Sequence, residues 1–169
     1  MRCLGTSISL QEVPGEISLI FQITNCPHRC PGCHSKELWA DTGDELSETL
    51  YRSILLPYED YISTIVFFGG EWDFKLVRFL QIAREKKLKT CLFTGADEVS
   101  DEIRRELTFL KTGPYREELG GLDSPTTNQR FWDLEKNILL NHAFIKNNIT
   151  QTHNTQGEMN VETNEGASS

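Results

Sequence analysis

Positive charge is scarce in this chain. Seventeen Lys and Arg stand against 25 Asp and Glu, so the formal charge is −8 at pH 7. Such a balance lacks the footprint of a protein that grips nucleic acid through its phosphates. No polybasic run is present to hold the chain to an anionic membrane, and no apolar run approaches the ~20 residues that span a bilayer. Neither nucleic acid nor membrane is expected as a partner. Met1 to Leu10 contains one basic residue and no apolar core of a secretory signal. The expected compartment is therefore the cytoplasm.

Cysteine is sparse and unevenly spread. There are five: Cys3, Cys26, Cys30, Cys33 and Cys91. An odd number without a secretory signal argues against a disulfide framework. None is needed, because 169 residues make one domain with room for a real core. Three of the five fall within eight residues, and that cluster is the most informative feature of the chain.

Apolar periodicity organises the rest. Ile17, Leu19, Phe21 and Ile23 alternate along a strand over Glu16–Thr24, with Ile20 on its other face. A helix is expected over 45–56, capped by Asp44 or Ser47 and stopped by Pro57. Thr64–Phe68 reads as a buried strand that runs into Gly69-Gly70-Glu71. A helix over 74–87 follows, with Leu76, Val77, Leu80 and Ala83 as its apolar stripe. The next strand, Thr90–Thr94, runs into Gly95. A helix over 100–106 and a strand over 107–111 lead to Thr112-Gly113-Pro114. Residues 131–145 fit helix or strand. Of the last 24 residues, 15 are Asn, Gln, Thr, Ser or Gly and only four are apolar. Residues 146–169 are therefore expected to be a disordered polar tail.

Strands alternating with helices imply a parallel α/β sheet with right-handed crossovers. Ligands of such sheets bind at the C-terminal ends of the strands. Here those ends carry the cysteine cluster, Gly-Gly-Glu, Thr-Gly and Thr-Gly-Pro, which places four sequence-distant features on one rim. About 145 ordered residues are too few for a closed eight-unit barrel. They allow a partial, open barrel of about five or six βα units, or a flat doubly wound sheet.

The cluster reads Cys26-Pro-His-Arg-Cys30-Pro-Gly-Cys33. Three thiolates on one loop can hold three irons of a four-iron cluster and leave the fourth iron for another ligand. Two other readings stand beside this one. A structural zinc would close its shell with His28 or His34, or the three cysteines are unrelated. Cys91, inside an apolar strand, reads as a buried small hydrophobe, and Cys3 as an incidental thiol.

The C-x3-C-x2-C motif followed one βα unit later by Gly69-Gly70-Glu71 resembles the radical S-adenosylmethionine superfamily. The stretches Gln11–Glu16, Leu38-Trp39, Leu110–Tyr115 and Leu122–Phe131 resemble, within it, the activating proteins of anaerobic (class III) ribonucleotide reductases. The resemblance spans about residues 4–132. It implies a radical S-adenosylmethionine domain over 1–145, an open partial barrel in fold. Cys26, Cys30 and Cys33 would ligate a [4Fe-4S] cluster and serve as the catalytic residues. S-adenosylmethionine would be held by Gly32, Cys33, His34, Gly69, Gly70, Glu71, Thr94 and Lys111. Glu71 would face the methionine amino group; Lys111, by its place at a strand end on the same rim, reads either as a partner of the carboxylate or as part of the turn. Reductive cleavage would give methionine and a 5′-deoxyadenosyl radical, which takes hydrogen from one glycine of the large reductase subunit. The implied partners are that subunit and an electron donor such as a flavodoxin. The alternatives are activation of another glycyl radical enzyme, or a non-catalytic zinc-stabilised binding module. Two positions depart from the family pattern: Gly32, where many members carry an aromatic ring, and Trp72, where proline is usual.

Overall fold

A computed structural model describes residues 1–145, so the tail expected over 146–169 lies outside the described residues. In chain order the strands are β1 (Arg2–Ser9), β2 (Ser18–Ile23), β3 (Asp44–Glu45), β4 (Thr64–Phe68), β5 (Lys89–Phe93), β6 (Phe109–Thr112), β7 (Arg130–Asp133) and β8 (Ile138–Leu139). The helices are α1 (Glu48–Leu55), α2 (Lys75–Glu85) and α3 (Asp101–Arg105). All eight strands form one sheet in the order β3-β1-β2-β4-β5-β6-β7-β8. Only β2, β4, β5 and β6 run parallel; the outer pairings are antiparallel.

The parallel centre follows from local sequence. Ser47 caps α1 by accepting from the Leu50 amide at 3.1 Å, and Ser100 caps α3 through the Ile103 amide. The stripe of α2 buries Leu76, Leu80 and Ala83 against Leu19, Phe21, Ile65, Phe67 and Leu92 of the sheet. Each large side chain fully buried there contributes about 1.5–3 kcal/mol. Tyr51 of α1 joins them, with ring centroids 4.9 Å from both Phe21 and Phe79. The other face of the sheet carries Ile20, Val66, Cys91, Phe109 and Phe131, covered by Val13, Leu122, Leu140 and Phe144. Ile17, expected on the inner face of β2, lies before the strand and is exposed.

The partial barrel of five or six βα units does not form. The described residues form a single mixed sheet with three short α-helices, hence three α-helical crossovers. Two local causes explain this. After β6 the chain enters a run holding Gly113, Pro114, Gly120, Gly121, Pro125 and Asn128, which offers turns and no apolar helical stripe. Without a crossover helix the chain can only return antiparallel, as β7 and then β8. At the other end Arg2–Ser9 adds the antiparallel strand β1, whose weak alternation and central Gly5 hid it.

A single row of residues crosses the parallel centre in register near the C-terminal ends of its strands. Gln22 pairs with Phe68, Phe68 with Phe93, and Phe93 with Lys111.

Candidate functional site

The loop after β2 is tied down at its base. The Asn25 amide donates to the Ala40 carbonyl and the Cys26 amide to that of Leu38, each at 3.0 Å, while Thr24 Oγ1 donates to Thr42. Leu38 is buried and anchors the returning limb. Between these ties the backbone coils through positive φ at Asn25, Arg29 and Gly32. The Cys33 amide donates to the Cys30 carbonyl, and the Ser35 amide to Cys33 Sγ at 3.4 Å. All three thiols are half-buried and open into one cleft, and all five cysteines of the chain are unpaired. Burial pushes the Cys26 thiol up, with Glu71 and Cys30 adding to that, against the lowering pull of the His28 and Arg29 amides.

The cleft lies over the C-terminal ends of the parallel strands. Besides Cys26, Cys30 and Cys33, its walls include His28, Gly69, Trp72, Thr94, Lys111 and Tyr115, over an apolar floor of Phe68 and Phe93. It encloses about 190 Å³. Lys111 is buried, and its Nζ donates to the carbonyls of Gly113 at 2.8 Å and Thr94 at 3.3 Å. Burial pulls this ammonium down to about 8, against the pull of Cys30, Cys33 and Glu71.

Glu71 stands behind this wall. Its Oε1 accepts from Thr94 Oγ1 at 2.5 Å and lies 2.7 Å from His28 Nε2. Its Oε2 is buried and finds no partner among the described residues. Gly69, at φ +82°, brings the backbone under Trp72: a Cβ there would lie 2.5 Å from the indole.

Of the residues singled out in the sequence, Cys26, Cys30, Cys33, Gly69, Thr94 and Lys111 line the cleft together. Glu71 is not among the lining residues and is tied to the cleft wall through Thr94 and His28. Gly70 faces Met1 and Ile23 instead. Gly32 is turned toward Tyr115 and Glu117, and the exposed His34 tilts against the Tyr115 ring at 4.9 Å. Cys91 is fully buried in the second core face, and burial holds its thiol well above the ordinary value. Cys3 is buried too, its Sγ donating to the Gly5 carbonyl. Sequence reasoning missed His28 as a partner of Glu71 and Tyr115 as a wall. The one signal for Tyr115 was its position just after the Thr-Gly-Pro strand end.

The donor set fits an iron–sulfur group. Three soft thiols meet at one opening. His28 is engaged by Glu71, and His34 lies against the Tyr115 ring. Three cysteines at one cleft are the donor set that an iron–sulfur protein needs. Residues 14–119, more than half of the chain, match the family model described as a 4Fe-4S single cluster domain, and the chain belongs to that family. The matched span runs from before β2 through β6 and contains Cys26, Cys30, Cys33 and Cys91. No curated protein matches the chain. Among the described residues no helix is long and apolar enough to cross a membrane.

Proposed function

We propose that the protein is a radical S-adenosylmethionine activase for an anaerobic ribonucleotide reductase. Cys26, Cys30 and Cys33 hold a [4Fe-4S] cluster with one iron left to the cofactor. The observation that carries this reading is the shared cleft: three thiols face the ends of three adjacent parallel strands, which supply Gly69, Thr94 and Lys111. When bound, the reduced cluster and S-adenosylmethionine supply one-electron cleavage of the sulfonium C–S bond. That chemistry would serve hydrogen-atom abstraction from a glycine of the partner.

The chain's own residues bind, orient and shield. Glu71 offers a carboxylate to the ammonium of the methionine moiety, and the Lys111 ammonium faces its carboxylate. Phe68 and Phe93 keep water from the floor of the cleft. The enclosed volume of about 190 Å³ is below the roughly 300 Å³ at the small end of drug-sized pockets. The cleft by itself would not enclose a nucleoside-sized ligand, and a docked polypeptide is suited to close it. The large reductase subunit is that partner, and a flavodoxin-like donor in the cytoplasm delivers the electron.

The test is anaerobic incubation of cluster-loaded protein with reductant, S-adenosylmethionine and the large subunit. Electron paramagnetic resonance is expected to show a glycyl radical on the partner, absent when the partner's radical-site glycine is changed to Ala. Cofactor consumption without that radical defeats the choice of substrate. A colourless protein carrying one zinc defeats the whole reading.

A further inference from the structure

His28 is two residues from a cysteine on either side, yet its ring turns away from the thiols toward a carboxylate 43 positions later. Its Nε2 lies 2.7 Å from Glu71 Oε1, and a carboxylate can only accept, so Nε2 carries the proton. Thr94 Oγ1 donates to the same oxygen, and its own oxygen accepts from the Ala96 amide at 2.9 Å, which fixes the hydroxyl in turn. Both donors converge on Oε1, whereas Oε2 is buried and unpartnered among the described residues. A buried charged acceptor left unmade costs more than a typical hydrogen bond gains, so this asymmetry points to a donor that arrives from outside the chain.

Gly95 shows that the ring has a dedicated seat. A Cβ at Gly95 would lie 2.9 Å from His28 Cγ and 3.0 Å from Cδ2. The turn after β5 thus admits the imidazole only because residue 95 has no side chain.

We infer that His28 is a positioning residue: with Thr94 it pins one oxygen of Glu71, so that the other is held for the ammonium of an α-amino acid moiety in the ligand. This rests on the proposed activase function, in which that moiety belongs to S-adenosylmethionine. It adds that the cysteine loop and the carboxylate form one hydrogen-bonded unit, so the loop that carries the cluster also sets the ligand's amine contact. Orientation before binding raises affinity by removing the cost of ordering the carboxylate at that moment.

The experiment compares two ligands on cluster-loaded protein: S-adenosylmethionine and its analogue lacking the α-amino group. Binding is read from the change each makes in the reduced cluster's electron paramagnetic resonance spectrum, with iron content measured in parallel. Wild type is expected to prefer S-adenosylmethionine. His28→Ala should lose about tenfold in affinity for S-adenosylmethionine, roughly one charge-assisted hydrogen bond, and nothing for the analogue. His28→Gln, whose amide can donate, should recover much of that loss. Gly95→Ala, which changes no residue of the cysteine loop but crowds the His28 ring out of its seat, should reproduce the His28→Ala pattern. That variant decides the matter if His28→Ala loads no iron. Equal weakening of both ligands, or an unchanged preference in the variants, overturns the positioning role while leaving the proposed function standing. Wild-type protein that binds neither ligand overturns both.

Discussion

The indole of Trp72 lies over Gly69 so closely that a single added methyl on the glycine would be 2.5 Å from indole Cη2. The glycine is held at φ +82°, a conformation that a side chain also disfavours. Two separate penalties therefore meet at one position beside the cleft.

Gly69→Ala should destabilise the fold by about 2–4 kcal/mol, part backbone strain and part overpacking. Pairing it with Trp72→Leu should recover the overpacking part only. Urea unfolding of both single variants and the double variant checks this. Strict additivity across the cycle would show that the indole contact carries no energy.

Iron content should follow three cysteines and not five. Replacing Cys26, Cys30 or Cys33 with Ser removes a soft ligand at the cleft and should abolish cluster assembly. Cys3→Ala and Cys91→Ala lie in the core and should keep full iron at a cost of about 1 kcal/mol each in stability. Iron per chain and absorbance near 400 nm separate the two groups.

Tyr51 carries an opposite expectation. Its ring is fully buried between Phe21 and Phe79, yet its hydroxyl finds no partner among the described residues. Burial drives its ionisation far above the ordinary tyrosine range. Tyr51→Phe keeps the packing and removes an unmet polar group, so it should stabilise by about 1 kcal/mol. Tyr51→Ala should cost about 3–5 kcal/mol. A lower melting temperature for the Phe variant would mean that the hydroxyl is satisfied in solution.

Glu16 ties the start of β2 to its neighbours, accepting from Lys89 at 2.5 Å and from Thr64 Oγ1 at 3.2 Å. Burial pushes its carboxyl up, but the Lys89 and Ser63 hydrogen bonds, the Lys89 charge and Thr64 outweigh it and hold it below the usual range. A lowered folded-state value means that the unfolded chain binds the proton more tightly. The stabilisation is present above the unfolded carboxylate value near 4.3 and is lost as pH falls through the folded one. Glu16→Gln should therefore cost about 1–2 kcal/mol at pH 7, with the gap to wild type closing below about pH 4. A gap that is constant with pH would refute the linkage.

The parallel centre was legible because its elements carry strong local patterns. Thr64–Phe68 and the stripe of α2 fell where the periodicity put them. The barrel was an extrapolation of that alternation past Gly113, into a segment with no helical stripe to support it. β1 escaped because five of its eight residues are exposed and only Cys3 is fully buried, so burial left little alternation in Arg2–Ser9. At the cleft, the cysteines and strand-end glycines were readable as local motifs. The His28–Glu71 contact was not, because it joins two loops 43 residues apart and depends on the missing side chain of Gly95.

The register row Gln22–Phe68–Phe93–Lys111 also limits how this chain can vary in length. Side chains alternate faces along a strand, so removing one residue inside β5 would swing Phe93 from the cleft to the helical layer and Thr94 away from Glu71. The same deletion in the run between Gly113 and Asn128 would shorten a turn and leave the row in place. Insertions and deletions in natural variants of this chain should therefore be confined to its loops, with the spacing from Phe68 to Gly69 and from Phe93 to Gly95 held fixed.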